Sequence, residues 1–128
     1  MESNEKAIEC PVELAVQLIN RKWVIQIIRD MFFGKTRFNE FKDGKPGLSN
    51  KVLSQCLKDM EENKLIERQE LDDTIEYKLT KRGQALNKVV YELAMFTLTT
   101  DIADEYYSDE TIEKLKLVFN NTLLDNDK

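Results

Sequence analysis

Histidine is absent from all 128 residues. Without it there is no imidazole general base, no Ser-His or Cys-His nucleophile pair and no imidazole-bound zinc. Cysteine is nearly as scarce. Cys10 and Cys56 stand alone with no Cys-x-x-Cys motif, as expected where thiols stay reduced. Neither a Gly-x-Gly-x-x-Gly stretch nor a Walker-type phosphate loop occurs. The opening MESNEKAIEC lacks the basic-then-apolar pattern of a secretion signal, and the longest apolar-rich run, Val89 to Thr100, is too short to cross a bilayer. The 24 acidic residues lie in charge-rich helical or turn segments, where a solvated surface is the ordinary explanation. The expectation is a cytoplasmic protein that is not an enzyme and holds neither metal nor cofactor.

What remains is enough for one domain, since a chain of this length with 41% hydrophobic content can bury a core without staples. The net charge of -5 argues against a polyanion as partner until its distribution is considered. Residues 20 to 68 carry eleven Lys or Arg against seven Asp or Glu, while both ends are acidic. A locally basic face on an acidic molecule is a usable electrostatic footprint.

That basic block contains Leu48-Ser-Asn-Lys-Val-Leu-Ser-Gln-Cys-Leu-Lys-Asp-Met60. At about 100° per residue, Val52, Leu53, Cys56, Leu57 and Met60 share one side of a helix, and Lys51, Ser54, Gln55, Lys58 and Glu62 the other. Ahead of it, Cys10 precedes a helix with Pro11 at its first position and Val12, Ala15, Val16 and Ile19 on one side. Trp23 to Phe33 reads as a central buried helix that Gly34 can end. Lys35 to Arg37 form a short extended link, Phe38 to Lys42 a short helix, and Asp43-Gly-Lys-Pro-Gly47 a turn, after which Ser49 is an N-cap. Leu65 to Leu71 and Thr74 to Leu79 alternate as two strands joined by Asp72-Asp73. Thr80 can cap a long helix carrying Leu86, Val89, Val90, Leu93, Phe96 and Thr97. A last helix opens at Ser108 and presents Ile112, Leu115, Val118, Phe119 and Leu123. Apolar surface in excess of one small core, at both ends of the chain, suggests a dimer.

Helix, helix, short strand, helix, helix, hairpin, helix is the order of a winged helix-turn-helix, mainly α with a small β-hairpin. In such folds the second helix of the helix-turn-helix enters the DNA major groove. Lys51, Ser54, Gln55 and Lys58 are then the groove-facing set, with Asn50 beside them. Ser49 is either a helix cap or a phosphate contact. Arg37, Lys42 and Lys45, in the approaching segments, are candidates for phosphate contacts.

The residues also carry a resemblance. Cys10-Pro-Val-Glu13, Gln17-Leu-Ile19, Lys22-Trp23, Arg37-Phe-Asn-Glu40, Pro46-Gly-Leu-Ser-Asn-Lys-Val-Leu53, Leu65-Ile-Glu-Arg68 and Glu76-Tyr-Lys-Leu-Thr80, ending at Gly83, are together highly specific. The pattern resembles the HxlR-type regulators, which are MarR-like winged-helix proteins. The resemblance implies a homodimeric bacterial or archaeal transcription factor occupying residues 1–128 as one domain. Helices over 11–20 and 84–124 would form the dimer, a recognition helix over 48–63 would read an inverted repeat in double-stranded DNA, and 65–79 would be the wing. Some members sense oxidants or reactive electrophiles through the cysteine matching Cys10. A thiol at a helix N-terminus is favoured as thiolate, Glu9 and Glu13 oppose this, and Lys6, Arg21 or Lys22 could compensate. Sensor and structural cap both stay open for Cys10, while Cys56, on the apolar side, is expected to be buried and inert.

Three departures from the family pattern stand out. Cys56 replaces a long polar residue, and Lys64 replaces a glycine, so that Lys64 or Asn63 must end the recognition helix. The wing is short and tipped by Asp72 and Asp73, which moves the expected wing contacts to Arg68 and Lys78 on the strands. Two functions compete: a DNA-binding regulator, and a winged-helix protein-interaction module with little DNA affinity, motivated by the acidic pI and wing.

Overall fold

The computed structural model describes residues 8–124. Helices α1 (Pro11–Ile19) and α2 (Val24–Phe32) are followed by a 3-10 turn (Phe38–Lys42) and helix α3 (Asn50–Glu62). Strands β1 (Ile66–Leu71) and β2 (Thr74–Leu79) form an antiparallel hairpin, and helices α4 (Lys81–Gln84), α5 (Asn87–Leu98), α6 (Ile102–Tyr106) and α7 (Asp109–Leu123) complete the chain. This is the expected mainly helical architecture with a two-stranded wing.

One core holds the helix-turn-helix together. Val24, Ile27 and Ile28 of α2 meet Leu53, Cys56, Leu57 and Met60 of α3, with Phe41, Leu65, Ile66 and Tyr77 closing the sides. Phe41 and Tyr77 meet edge-on with ring centroids 6.2 Å apart, which ties the 3-10 turn to β2. A smaller cluster of Leu98, Ala103 and Ile112 joins α5, α6 and α7. Helix α1 contributes almost nothing to either: none of its residues is buried, and Val12 is 68% exposed.

The hairpin register runs from Ile66 opposite Leu79 to Leu71 opposite Thr74, so Asp72 and Asp73 alone make the turn. Asp72 takes the left-handed conformation, φ 53°, that such tight turns require and that Asp tolerates. Lys64 is likewise left-handed (φ 62°), as the missing glycine demands. The base of the wing is closed by bonds from Thr80 N to Leu65 O (3.0 Å), from Thr80 Oγ1 to Lys64 O (2.6 Å) and from Arg82 Nη1 to Asn63 O (2.9 Å).

Three expectations are corrected. The long helix from Thr80 is broken into α4, α5 and α6, with interruptions at residues 85–86 and 99–101. Thr80 does cap, accepting the Gly83 N–H at 3.1 Å, but it caps only the four residues of α4. The link over 35–37 is not a strand; it gives the sheet one bond, from Tyr77 N to Thr36 O at 2.8 Å. Trp23 is not the first residue of α2 but its left-handed N-cap, φ 85°, with its side chain packed against the core.

Candidate nucleic-acid interface

Helix α3 is presented by its cap and its back. Ser49 Oγ accepts the Val52 N–H at 3.1 Å, so the hydroxyl performs the capping role. Leu53, Cys56, Leu57 and Met60 are buried against α2, which turns Lys51, Ser54, Gln55 and Lys58 outward together. Val52 is the exception on the apolar side: it is 41% exposed, at the border of a face whose centre holds the buried Leu53. An exposed valine beside Lys51 offers an apolar contact of the kind a thymine methyl accepts.

The segment before α3 is fixed by charge. Glu40 accepts the N–H groups of Thr36 (2.8 Å) and Arg37 (3.0 Å), and these two bonds hold its carboxyl below the usual range. Lys42 Nζ donates to Asn50 Oδ1, placing both candidates at the N-terminus of α3. Lys45 is a correction. Instead of facing solvent it is buried, with its Nζ on the Asp30 carboxylate, and a phosphate contact is closed to it. Asp30 is itself buried on α2 and also accepts from Arg29 Nη2 at 2.9 Å. A buried carboxylate needs a partner, and the turn, with Gly44 at φ 74°, folds back to supply it.

On the wing, Arg37 is paired with Glu76 of β2 at 3.1 Å and Arg68 with Glu70 at 2.9 Å, while Lys78 is exposed. Both candidate arginines are therefore partly neutralised where they stand. The cations left on the face of α3 are Lys51 and Lys58.

Two residues at this face were missed. Asp59 accepts from Gln55 Nε2 at 3.0 Å and is also ion-paired with Arg21, in the turn between α1 and α2. The spacing of Gln55 and Asp59, one helical turn apart, was a readable signal. Arg21, 38 positions away, left none.

Cys10 sits at the N-cap of α1 with an exposed thiol that makes no capping bond. Of the cations that could favour its thiolate, Arg21 is taken by Asp59, Lys22 lies over the Trp23 ring at 5.0 Å, and Lys6 is outside the described residues. Cys56 is buried, and burial pushes its thiol up.

A helix-turn-helix core followed by a two-stranded antiparallel hairpin defines a winged helix-turn-helix protein. The profile of the HxlR-like helix-turn-helix family matches residues 18–105, and the chain belongs to that family. The match takes in α3 and the wing but not Cys10 or α7. An HTH-type transcriptional regulator of Synechocystis sp. is 35% identical over 95 residues, covering 72% of this chain and 69% of the relative. The quinone-bound structure of YodB from Bacillus subtilis is 35% identical, covers 72% of this chain and all of its own, and superimposes with a TM-score of 0.62. The redox regulator HypR in its oxidised form is 29% identical, covers 71% of this chain and 97% of its own, with a TM-score of 0.66. The protein is accordingly a DNA-binding transcriptional regulator.

Proposed function

We propose that the protein acts in the cytoplasm as a homodimer whose two α3 helices read an inverted repeat in double-stranded DNA. The observation that carries this is the solvent-facing stripe of Lys51, Ser54, Gln55 and Lys58 on a helix capped by Ser49 and backed by the core. Asn50 and Lys42, at the start of α3, are the phosphate-positioning pair, and Lys78 is the wing contact that remains open; Arg37 and Arg68 must first leave Glu76 and Glu70. Pairing of two copies is supported by apolar side chains without cover in one chain: Val12, Leu14 and Val16 on α1, Leu93 and Phe96 on α5, and Leu117 on α7. No helix of the described residues is long and apolar enough to cross a membrane.

Binding to DNA from the protein's own upstream region, followed by fluorescence anisotropy, should weaken steeply as salt rises. Salt-independent association with a protein partner and none with DNA would favour the interaction module instead. Lys51→Ala and Gln55→Ala should each weaken operator binding by about 1 to 3 kcal/mol, with Glu62→Ala as a control on the same helix. Unchanged affinity in both would remove α3 from the interface.

Cys10 is the proposed sensor of an oxidant or reactive electrophile. Its thiol is exposed on a helix poised for the dimer, and two relatives are a redox regulator and a quinone-bound regulator. Cys10→Ser should bind DNA as wild type does but lose the response to diamide or a quinone. A mutant that still responds would shift the sensing elsewhere.

A further inference from the structure

A glutamine on a recognition helix is ambiguous. Its amide carries one acceptor oxygen and a nitrogen with two donor hydrogens, and the two ends can exchange by a rotation of about 180°. With the oxygen and one N–H toward a base it matches adenine, which shows a donor at N6 and an acceptor at N7. With the amino group alone turned toward the groove it suits guanine, which shows acceptors at O6 and N7. Nothing in the identity of Gln55 chooses between these.

Asp59 does choose. It lies one turn along α3, and its Oδ1 accepts from Gln55 Nε2 at 3.0 Å. An ionised carboxylate has no hydrogen to donate, so turning the amide over would bring two acceptors together. The carboxylate is anchored in turn by Arg21, whose guanidinium takes its other oxygen, Oδ2. That ion pair also offsets a negative charge that would otherwise face phosphate. One Gln55 N–H is thus spent on Asp59, leaving one N–H and one oxygen for a base.

We propose that Asp59 fixes the amide of Gln55 so that this side chain reads adenine and rejects guanine in the major groove, with Arg21 holding Asp59 in place. The proposal rests on α3 being the recognition helix. It assigns to Asp59 a positioning role and to the operator an adenine at one defined step.

Selection from a library of random duplexes, with wild type, Gln55→Ala, Asp59→Asn and Asp59→Ala, tests it. Wild type should enrich a half-site, and Gln55→Ala should relax one base pair of it, which identifies the step that Gln55 contacts. That base should be adenine, preferred over guanine by about tenfold or more in anisotropy titrations on matched duplexes. In Asp59→Asn, whose amide can donate or accept, the preference should fall to within about twofold, because Gln55 can then present either end. Asp59→Ala should lose it as well, and in a Gln55→Ala background neither change should affect base preference. A purely structural role for Asp59 would lower affinity for all duplexes alike and leave the base preference intact. Guanine at the relaxed step, or adenine preference retained in Asp59→Asn, would overturn the proposal. If wild type enriched no sequence, or Gln55→Ala relaxed no position, the assignment of α3 would fall first and this inference with it.

Discussion

Asp30→Ala should lower the unfolding free energy by about 3 to 5 kcal/mol, the cost of stranding a buried charge. The Lys45 side chain is only 3% exposed, and its Nζ rests on the Asp30 carboxylate. Once that carboxylate is gone, the ammonium is left buried without its partner unless the turn over 43–47 pulls away from α2. Lys45→Met should cost much less, because Asp30 keeps the guanidinium of Arg29, which reaches solvent, and methionine fills the space of the lysine stem. The double replacement Asp30→Leu with Lys45→Met should recover most of the loss. Urea denaturation followed by circular dichroism, at one protein concentration because the chain is proposed to dimerise, gives the three values. A loss in the double variant equal to the sum of the two single losses would show that the pair is not coupled. The effect should extend to DNA, since the same turn delivers Leu48 to the core and Ser49 to its cap.

Gly83→Ala should be destabilising by about 3 kcal/mol, at the upper end for an overpacked site. Helix propensity alone predicts the opposite sign, since alanine is better than glycine in a helix by about 1 kcal/mol. The difference lies in what a Cβ would meet: the Leu65 carbonyl oxygen at 2.1 Å, with Leu79 Cδ2 at 3.0 Å. That oxygen is backbone and already accepts from Thr80 N, so it cannot step aside. Helix α4 would have to lift from the base of the wing. Gly83→Ser should behave as alanine does, because the clash is at Cβ. A gain in thermal stability for either variant would refute the close approach of α4 to Leu65.

These two sites mark where the sequence could and could not be read. The hairpin was legible down to its register, since alternation and a two-residue Asp-Asp turn are local signals. The Ser49 cap and the stripe of α3 were legible for the same reason. The fate of Lys45 was not: a lysine in a Gly- and Pro-containing turn reads as solvated, and only the buried carboxylate 15 positions earlier draws it inward. Nor were the breaks between α4, α5 and α6, which no proline marks; the second of them lets Ala103 and Ile112 pack against Leu98. Val52 points the same way. Helical periodicity gives a face, but the roll of the helix against its neighbours decides which border residues stay outside.

The acidic turn at the end of the wing also bears on how such a protein finds its target in a genome. Non-specific association with DNA is almost wholly electrostatic, and a chromosome offers a vast excess of wrong sites. On the proposed docking, a hairpin ending in Asp72 and Asp73 would add repulsion to every one of those encounters, whatever their sequence. At the right site the base contacts proposed for α3 would offset that repulsion. An acidic tip would thus shorten the time lost on wrong sequences and lower overall tightness alike, since a penalty common to all sites cancels from the ratio of two affinities.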